Sequence, residues 1–281
     1  MKGPTVPPQI PALLEARALR EGVTLEEARR QHAFEGVLRR VAALGREDLV
    51  LRGGVLLRAW VGPERPAEDL DFLATWPFES GRARRALRDV CETSCADGLE
   101  LSLGASHETW TNTPFPGLRA QVRGSLCGAP LEFQIDLGCG DPMRPEPAWT
   151  TLPALTPALA PRVLACRPET LAGWKLHGLY ERGIGTWRAK DLHDLSLLFE
   201  RCPLERAALV SAIRLAHESR DGQLELLEWL RDGRFGQSRR SRRKWRRLRE
   251  SRPAGTIPEE VAQVVARIAP VLTDLWGALA R

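Results

Sequence analysis

The sequence lacks the patterns that mark several enzyme classes and compartments. Its six cysteines, Cys91, Cys95, Cys127, Cys139, Cys166 and Cys202, form no C-x-x-C pair and join no histidine cluster, which excludes the common zinc frameworks. Scattered thiols of this kind fit the cytoplasm. No stretch approaches the roughly 18 to 20 apolar residues of a membrane span. The start, Met1-Lys2-Gly3-Pro4, has no apolar signal core, so neither export nor membrane insertion is expected. His32, His107, His177, His193 and His217 show no H-E-x-x-H spacing and are read as structural or surface residues. Neither G-x-S-x-G nor G-x-x-x-x-G-K-[ST] occurs, which argues against an α/β-hydrolase and a P-loop ATPase.

What is present describes a folded protein with a mild cationic bias. The 281 residues suffice for one large domain or two modest ones, and 43% hydrophobic with 27% charged residues is ordinary globular composition. A net charge of +5 and a pI near 9.1 favour a polyanionic partner, because Lys and Arg gain affinity by displacing counterions from phosphates. The nine tryptophans are spread out, and most are expected in the core.

Periodicity gives the order of elements. Ala12 to Leu44 reads as two helices broken at Gly22-Val23-Thr24, with Thr24 and Glu27 forming a capping box. Next come a strand at Leu49-Val50-Leu51, the Gly53-Gly54 turn, an apolar helix to Val61 and a short strand around Leu70 to Leu73. Arg82 to Asp97 reads as a helix, and Leu99 to Leu103, Ala120 to Arg123 and Leu131 to Leu137 alternate as strands. A Pro-rich connector from Pro142 to Pro168 has too many proline breaks for a long element and marks the domain change. Helices are expected beyond it: Glu169 to Arg182, Arg188 to Arg201, Glu205 to Glu218, Leu224 to Asp232, Ser241 to Glu250 and Pro258 to Leu279. The expected domains are therefore 12–150, mixed helix and strand, and 168–281, helical.

One constellation carries chemistry. Carboxylates at i and i+2 on a strand point to the same side, so Asp69 and Asp71 can hold metal ions while Leu70 and Phe72 face the core. Metal-assisted phosphoryl transfer uses such shared carboxylates and calls for a third. Asp136 is the leading candidate, on the polar face of the Leu131 to Leu137 strand, with Glu132 on the same face as competitor. Gly53 and Gly54, between a strand and a helix, let backbone N–H groups approach triphosphate oxygens. An isolated D-x-D most often only solvates a strand edge, but the ordered set of Gly-Gly, helix, D-x-D and a later acid is rarer.

In the helical half, Lys175 has helical spacing from Leu171 and Leu179 and so lies on an apolar face, where its charge requires an anion: a triphosphate or a neighbouring acid. Asp191 and Asp194 share a face at the start of the next helix, where acids also favour the helix dipole by about 0.3 to 1 kcal/mol. The run from Arg239 to Arg249 is the strongest local charge. It can either grip an RNA backbone, with Trp245 free to stack a base, or form a solvated helix face.

These residues resemble the AbiEii-type nucleotidyltransferase toxins, a DNA polymerase β-like group, from about Ala12 to Leu198. The resemblance rests on Arg52-Gly53-Gly54, on Arg65 to Asp71, on Gln134-Ile135-Asp136-Leu137-Gly138-Cys139-Gly140-Asp141, on Glu169 to Lys175 and on Lys190 to Asp194. Arg52 stands where the family usually has lysine, and Val55 and Ala67 replace small hydroxyl residues. The resemblance implies an α+β fold, a polymerase β-like mixed sheet with flanking helices plus a helical C-terminal domain. It implies that Asp69 and Asp71, with Asp136, bind Mg²⁺ as two ions and that Lys175 contacts an NTP co-substrate alongside Arg52, Gly53, Gly54 and Lys190. Asp191 or Asp194 would complete the site.

The function expected is transfer of an NMP to an RNA 3′ end, such as that of tRNA, by the toxin of a toxin–antitoxin or phage-defence pair, with a cognate antitoxin as partner. A protein or small-molecule acceptor is the first alternative. A non-catalytic nucleotide- or antitoxin-binding module is the second.

Overall fold

The computed structural model describes residues 9–181, 186–220 and 222–280. The start Met1-Lys2-Gly3-Pro4 and Arg182, the expected end of one helix, lie outside the described residues. The chain divides into two compact units, Met1–Asp141 with Pro147–Ala165, and Pro142–Glu146 with Cys166–Arg281.

The first unit opens on α1 (Ile10–Glu21) and α2 (Leu25–Ala43). Gly22 ends α1 in the left-handed region at φ 65°. The capping box forms as expected: the Thr24 hydroxyl accepts the Glu27 N–H at 3.1 Å, and the Glu27 carboxylate accepts the Thr24 N–H at 3.0 Å. There follow β1 (Leu49–Arg52), α3 (Gly53–Val61), β2 (Leu70–Ala74), α4 (Ser80–Glu92), β3 (Leu99–Thr109), β4 (Gly117–Leu126), β5 (Ala129–Cys139), β6 (Ala148–Thr151) and β7 (Arg162–Ala165).

These strands make one mixed seven-stranded sheet in the order β3-β4-β5-β2-β1-β7-β6. β2 runs parallel to β5 and antiparallel to β1, and β1 runs parallel to β7. Helix α3 packs on β1 and β2, α4 on β3 and β4, and α2 on α4 and β7. The mixed sheet with flanking helices gives the α+β class expected from the sequence.

One expectation fails in this unit and another gains detail. The Pro-rich connector holds no long element, as expected, but supplies the short edge strand β6 and its neighbour β7, because its prolines fall outside two runs of four extended residues each. Helix α4 stops at Glu92 rather than Asp97, since Thr93 turns extended with ψ 127°. Asp97 is instead buried under α2, where Arg40 meets its carboxylate at 2.7 Å, Arg39 at 3.0 Å and His32 its carbonyl at 2.9 Å. That cluster ties α2 to the start of β3.

The second unit is built from α5 (Pro168–Gly178), α6 (Ala189–Arg201), α7 (Arg206–Glu218), α8 (Glu228–Arg231), α9 (Arg239–Glu250) and α10 (Val261–Leu279). Helix α5 packs on α6 and α7, and α10 packs on α6, α7, α8 and α9. The helix expected from Leu224 to Asp232 divides into a 3-10 turn, Leu224–Leu227, and the single turn of α8.

The tryptophans correct the expectation of a core role. Among the nine, Trp76, Trp187 and Trp245 are buried, while Trp149 and Trp229 are exposed by 44% and 42%. Arginine covers three of the others. The guanidiniums of Arg162, Arg231 and Arg234 lie 4.9, 4.4 and 5.7 Å from the ring centres of Trp149, Trp276 and Trp229, so cation–π contact shields indoles that stay near the surface. No helix among the described residues is long and apolar enough to cross a membrane.

Candidate active site

The sheet register brings the acids together. β2 and β5 run side by side with Asp71 opposite Asp136, and Asp69 stands one residue before β2. One carboxylate oxygen from each of Asp69, Asp71 and Asp136 lies within 4.8 Å of the others. Leu70 and Phe72, on the other face of β2, are buried. Glu132 goes elsewhere: it is exposed and meets Arg123 at 3.3 Å across β4.

Neighbouring negative charge disfavours ionisation of Asp71. The Asp71 carboxyl is pushed up to about 6, by burial first and by the charge of Asp69 second, with Asp136 adding to it. The Arg52 charge and the Gly54 N–H, which donates to Asp71 Oδ2 at 3.4 Å, act the other way. Gly53 has a φ of 76°, and a Cβ there would lie 1.9 Å from Asp71 Oδ2, so only glycine permits this approach.

Arg52, expected to bind nucleotide, has its Nη1 3.7 Å from Asp141 Oδ2 and its guanidinium 6.0 Å from the Trp110 ring centre. The sequence reading did not select Arg119. It lies directly opposite Asp136 on β4 and forks its carboxylate, with Nε 2.9 Å from Oδ1 and Nη2 2.7 Å from Oδ2. Gln134 adds a donor to Oδ1 at 3.0 Å. Only the β4–β5 register reveals this pair, because the two residues are 17 positions apart.

In the second unit, Lys175 on α5 lies 2.9 Å from Asp191 Oδ1 and 2.7 Å from Asp194 Oδ2 on α6. Of the two anions foreseen for its buried charge, the structure provides the acids. Asp194 is fully buried, and Lys190 is half-buried one residue before Asp191. Glu169, also buried, accepts the Glu205 N–H at 2.9 Å and so fixes the start of α7. Trp245 is buried on the inner face of α9 and donates its indole N–H to the Pro258 carbonyl at 2.9 Å, so it is not free to stack a base.

The carboxylate cluster and the Lys–Asp cluster both lie within residues 36–267, the span matched by the model of the family described as nucleotidyl transferase AbiEii toxin, Type IV TA system. Among solved structures, a candidate nucleotidyltransferase from H. pylori is 15% identical, with a TM-score of 0.48 over 89% of this chain and 95% of that one. JHP933 from Helicobacter pylori is 16% identical, with a TM-score of 0.45 over 87% of this chain and 89% of that one. No curated protein matches the sequence. With 232 of its 281 residues inside the family match, from 36 to 267, the chain belongs to the AbiEii nucleotidyl transferase toxins of Type IV toxin–antitoxin systems.

Proposed function

We propose that this protein is a Mg²⁺-dependent nucleotidyltransferase that moves an NMP from an NTP to an RNA 3′ end, such as that of tRNA, and that it acts as the toxin of a pair with a cognate antitoxin. The observation that carries the reading is the cluster of Asp69, Asp71 and Asp136 within 4.8 Å in a chain of this family. The donor set fits hard divalent cations, since all three side chains offer oxygen and none offers sulfur or imidazole. The raised Asp71 carboxyl marks a site crowded with negative charge, which a bound cation relieves. When bound, two Mg²⁺ ions supply the charge stabilisation that attacking and leaving oxygens require.

The transfer itself is balanced simply. The acceptor hydroxyl oxygen bonds to the α-phosphorus, the bond from that phosphorus to the pyrophosphate oxygen breaks, the hydroxyl proton leaves to solvent or base, and pyrophosphate departs. Around it, Gly53 and Gly54 at the start of α3 leave the backbone open to phosphate oxygens. Arg52, opposite Asp71 in the β1–β2 ladder, supplies a cationic contact to the nucleotide. In the second unit, Asp191 and Asp194 hold Lys175 in place.

An RNA acceptor is supported by α9. Ser241 and Trp245 anchor its inner face, and Arg239, Arg240, Arg242, Arg243, Arg246 and Arg247 are exposed on the outer one. Arginines so presented suit a phosphate backbone. The test incubates the protein with each α-labelled NTP, Mg²⁺ and total RNA. RNA labelled at its 3′ end by the wild type is expected, with loss of that label and its salt sensitivity in Arg240→Glu/Arg243→Glu/Arg247→Glu. Label on protein, or on RNA equally in both forms, contradicts the RNA reading.

A further inference from the structure

The Arg119 fork has a consequence for how the acidic site loads, resting on the reading of that site as a metal centre. Both oxygens of Asp136 are occupied by Arg119 donors, and Gln134 adds a third donor to Oδ1. The carboxylate that a divalent ion would use is therefore already neutralised by a cation of the chain. A bidentate guanidinium–carboxylate pair is among the stronger charge-assisted contacts. It is also fixed by the backbone, because the two residues face each other in the β4–β5 ladder.

The two partners are not equally free to move. The Asp136 side chain is 4% exposed on an inner strand, whereas that of Arg119 is 37% exposed. A divalent ion entering beside Asp136 repels the guanidinium at short range. Arg119 then has open solvent to turn into, and its fork matches a phosphate as well as a carboxylate.

We propose that Arg119 is the resting counterion of the acidic site, held by Asp136 in the metal-free protein and handed to a phosphate of the incoming nucleotide when a divalent ion takes the carboxylate. Arg119 is on this account a positioning residue for loading: it suppresses metal binding without substrate and favours metal and triphosphate arriving together.

The experiment measures two affinities on the full chain, for Mn²⁺ alone and for preformed Mn²⁺–tripolyphosphate, in wild type, Arg119→Gln, Arg119→Lys and Asp71→Asn. Arg119→Gln is expected to bind Mn²⁺ alone about tenfold more tightly, a change of ~1.4 kcal/mol, and Mn²⁺–tripolyphosphate more weakly. Arg119→Lys, which keeps the charge but loses the fork, should fall between. Opposite signs of the two effects are a signature that a purely structural role does not produce. Mn²⁺ binding that Asp71→Asn abolishes but Arg119→Gln leaves unchanged or weaker overturns the counterion role alone. Absence of Mn²⁺ binding from both wild type and Arg119→Gln sinks the metal-centre reading and this inference with it.

Discussion

At the scale of single residues, Gly53 and Asp71 constrain each other. An alanine at 53 would place its Cβ 1.9 Å from Asp71 Oδ2 and so must push that carboxylate away, and holding φ at 76° in the left-handed region costs it about 1–2 kcal/mol more. Gly53→Ala is expected to fold and to transfer nucleotide at least about tenfold more slowly, each tenfold being ~1.4 kcal/mol. A normal rate would show that Asp71 is not where the chemistry needs it. Asp71 also sets a pH dependence. Its folded carboxyl is raised to about 6 from an ordinary 3.8, so its protonated form favours the fold, a contribution complete below 3.8 and lost as pH rises through 6. In chelator, Asp71→Asn should therefore melt higher than wild type at pH 8 and match it near pH 3.5. A lower melting point at pH 8 would contradict the crowding of charge. Asp69 and Asp71 were legible in the sequence because strand alternation is local. Asp136 and Glu132 were not separable, since they share a face, and Arg119 was invisible because cross-strand register is not local.

At the scale of elements, the buried Asp97 cluster does the work of joining α2 to β3. Removing one side of a buried ion pair leaves the other charge uncompensated, at about 3–5 kcal/mol. Asp97→Ala should lose about that much in urea unfolding with the slope unchanged, and a loss under about 1 kcal/mol would reduce the cluster to a bystander. The sequence extended α4 through Asp97 because nothing in Glu92 to Asp97 breaks a helix outright. The signal that ends it, burial of Asp97 against Arg39 and Arg40, is tertiary. The α2 start was legible because its capping box is complete within four residues. The β6 and β7 strands were not, because a strand of four residues leaves too short a pattern to stand out among prolines. α9 was read correctly as a helix, with its face left open between RNA contact and a solvated surface. An arginine-rich sequence hides which side is buried, and Trp245 turned out to be the anchor rather than the contact.

At the scale of the whole chain, a net charge of +5, the arginine-covered tryptophans and the exposed face of α9 are one compositional choice: arginine serves both as indole cover and as surface cation. The order of elements up to β5 and the helical character of the second half were legible, because each is set by local periodicity. The sheet order was not, since it places β5 beside β2 and β7 beside β1 across long connections. Family membership covers residues 36–267, and within that span Asp69, Asp71 and Asp136 offer oxygens within 4.8 Å of one another. The most direct measurement is nucleotide transfer in Mg²⁺ by wild type, Asp69→Asn, Asp71→Asn, Asp136→Asn and Glu132→Gln, with chelator as reference. Transfer should vanish in chelator and in all three Asp variants and persist in Glu132→Gln. Transfer that survives in Asp136→Asn, or is lost in Glu132→Gln, would contradict the site.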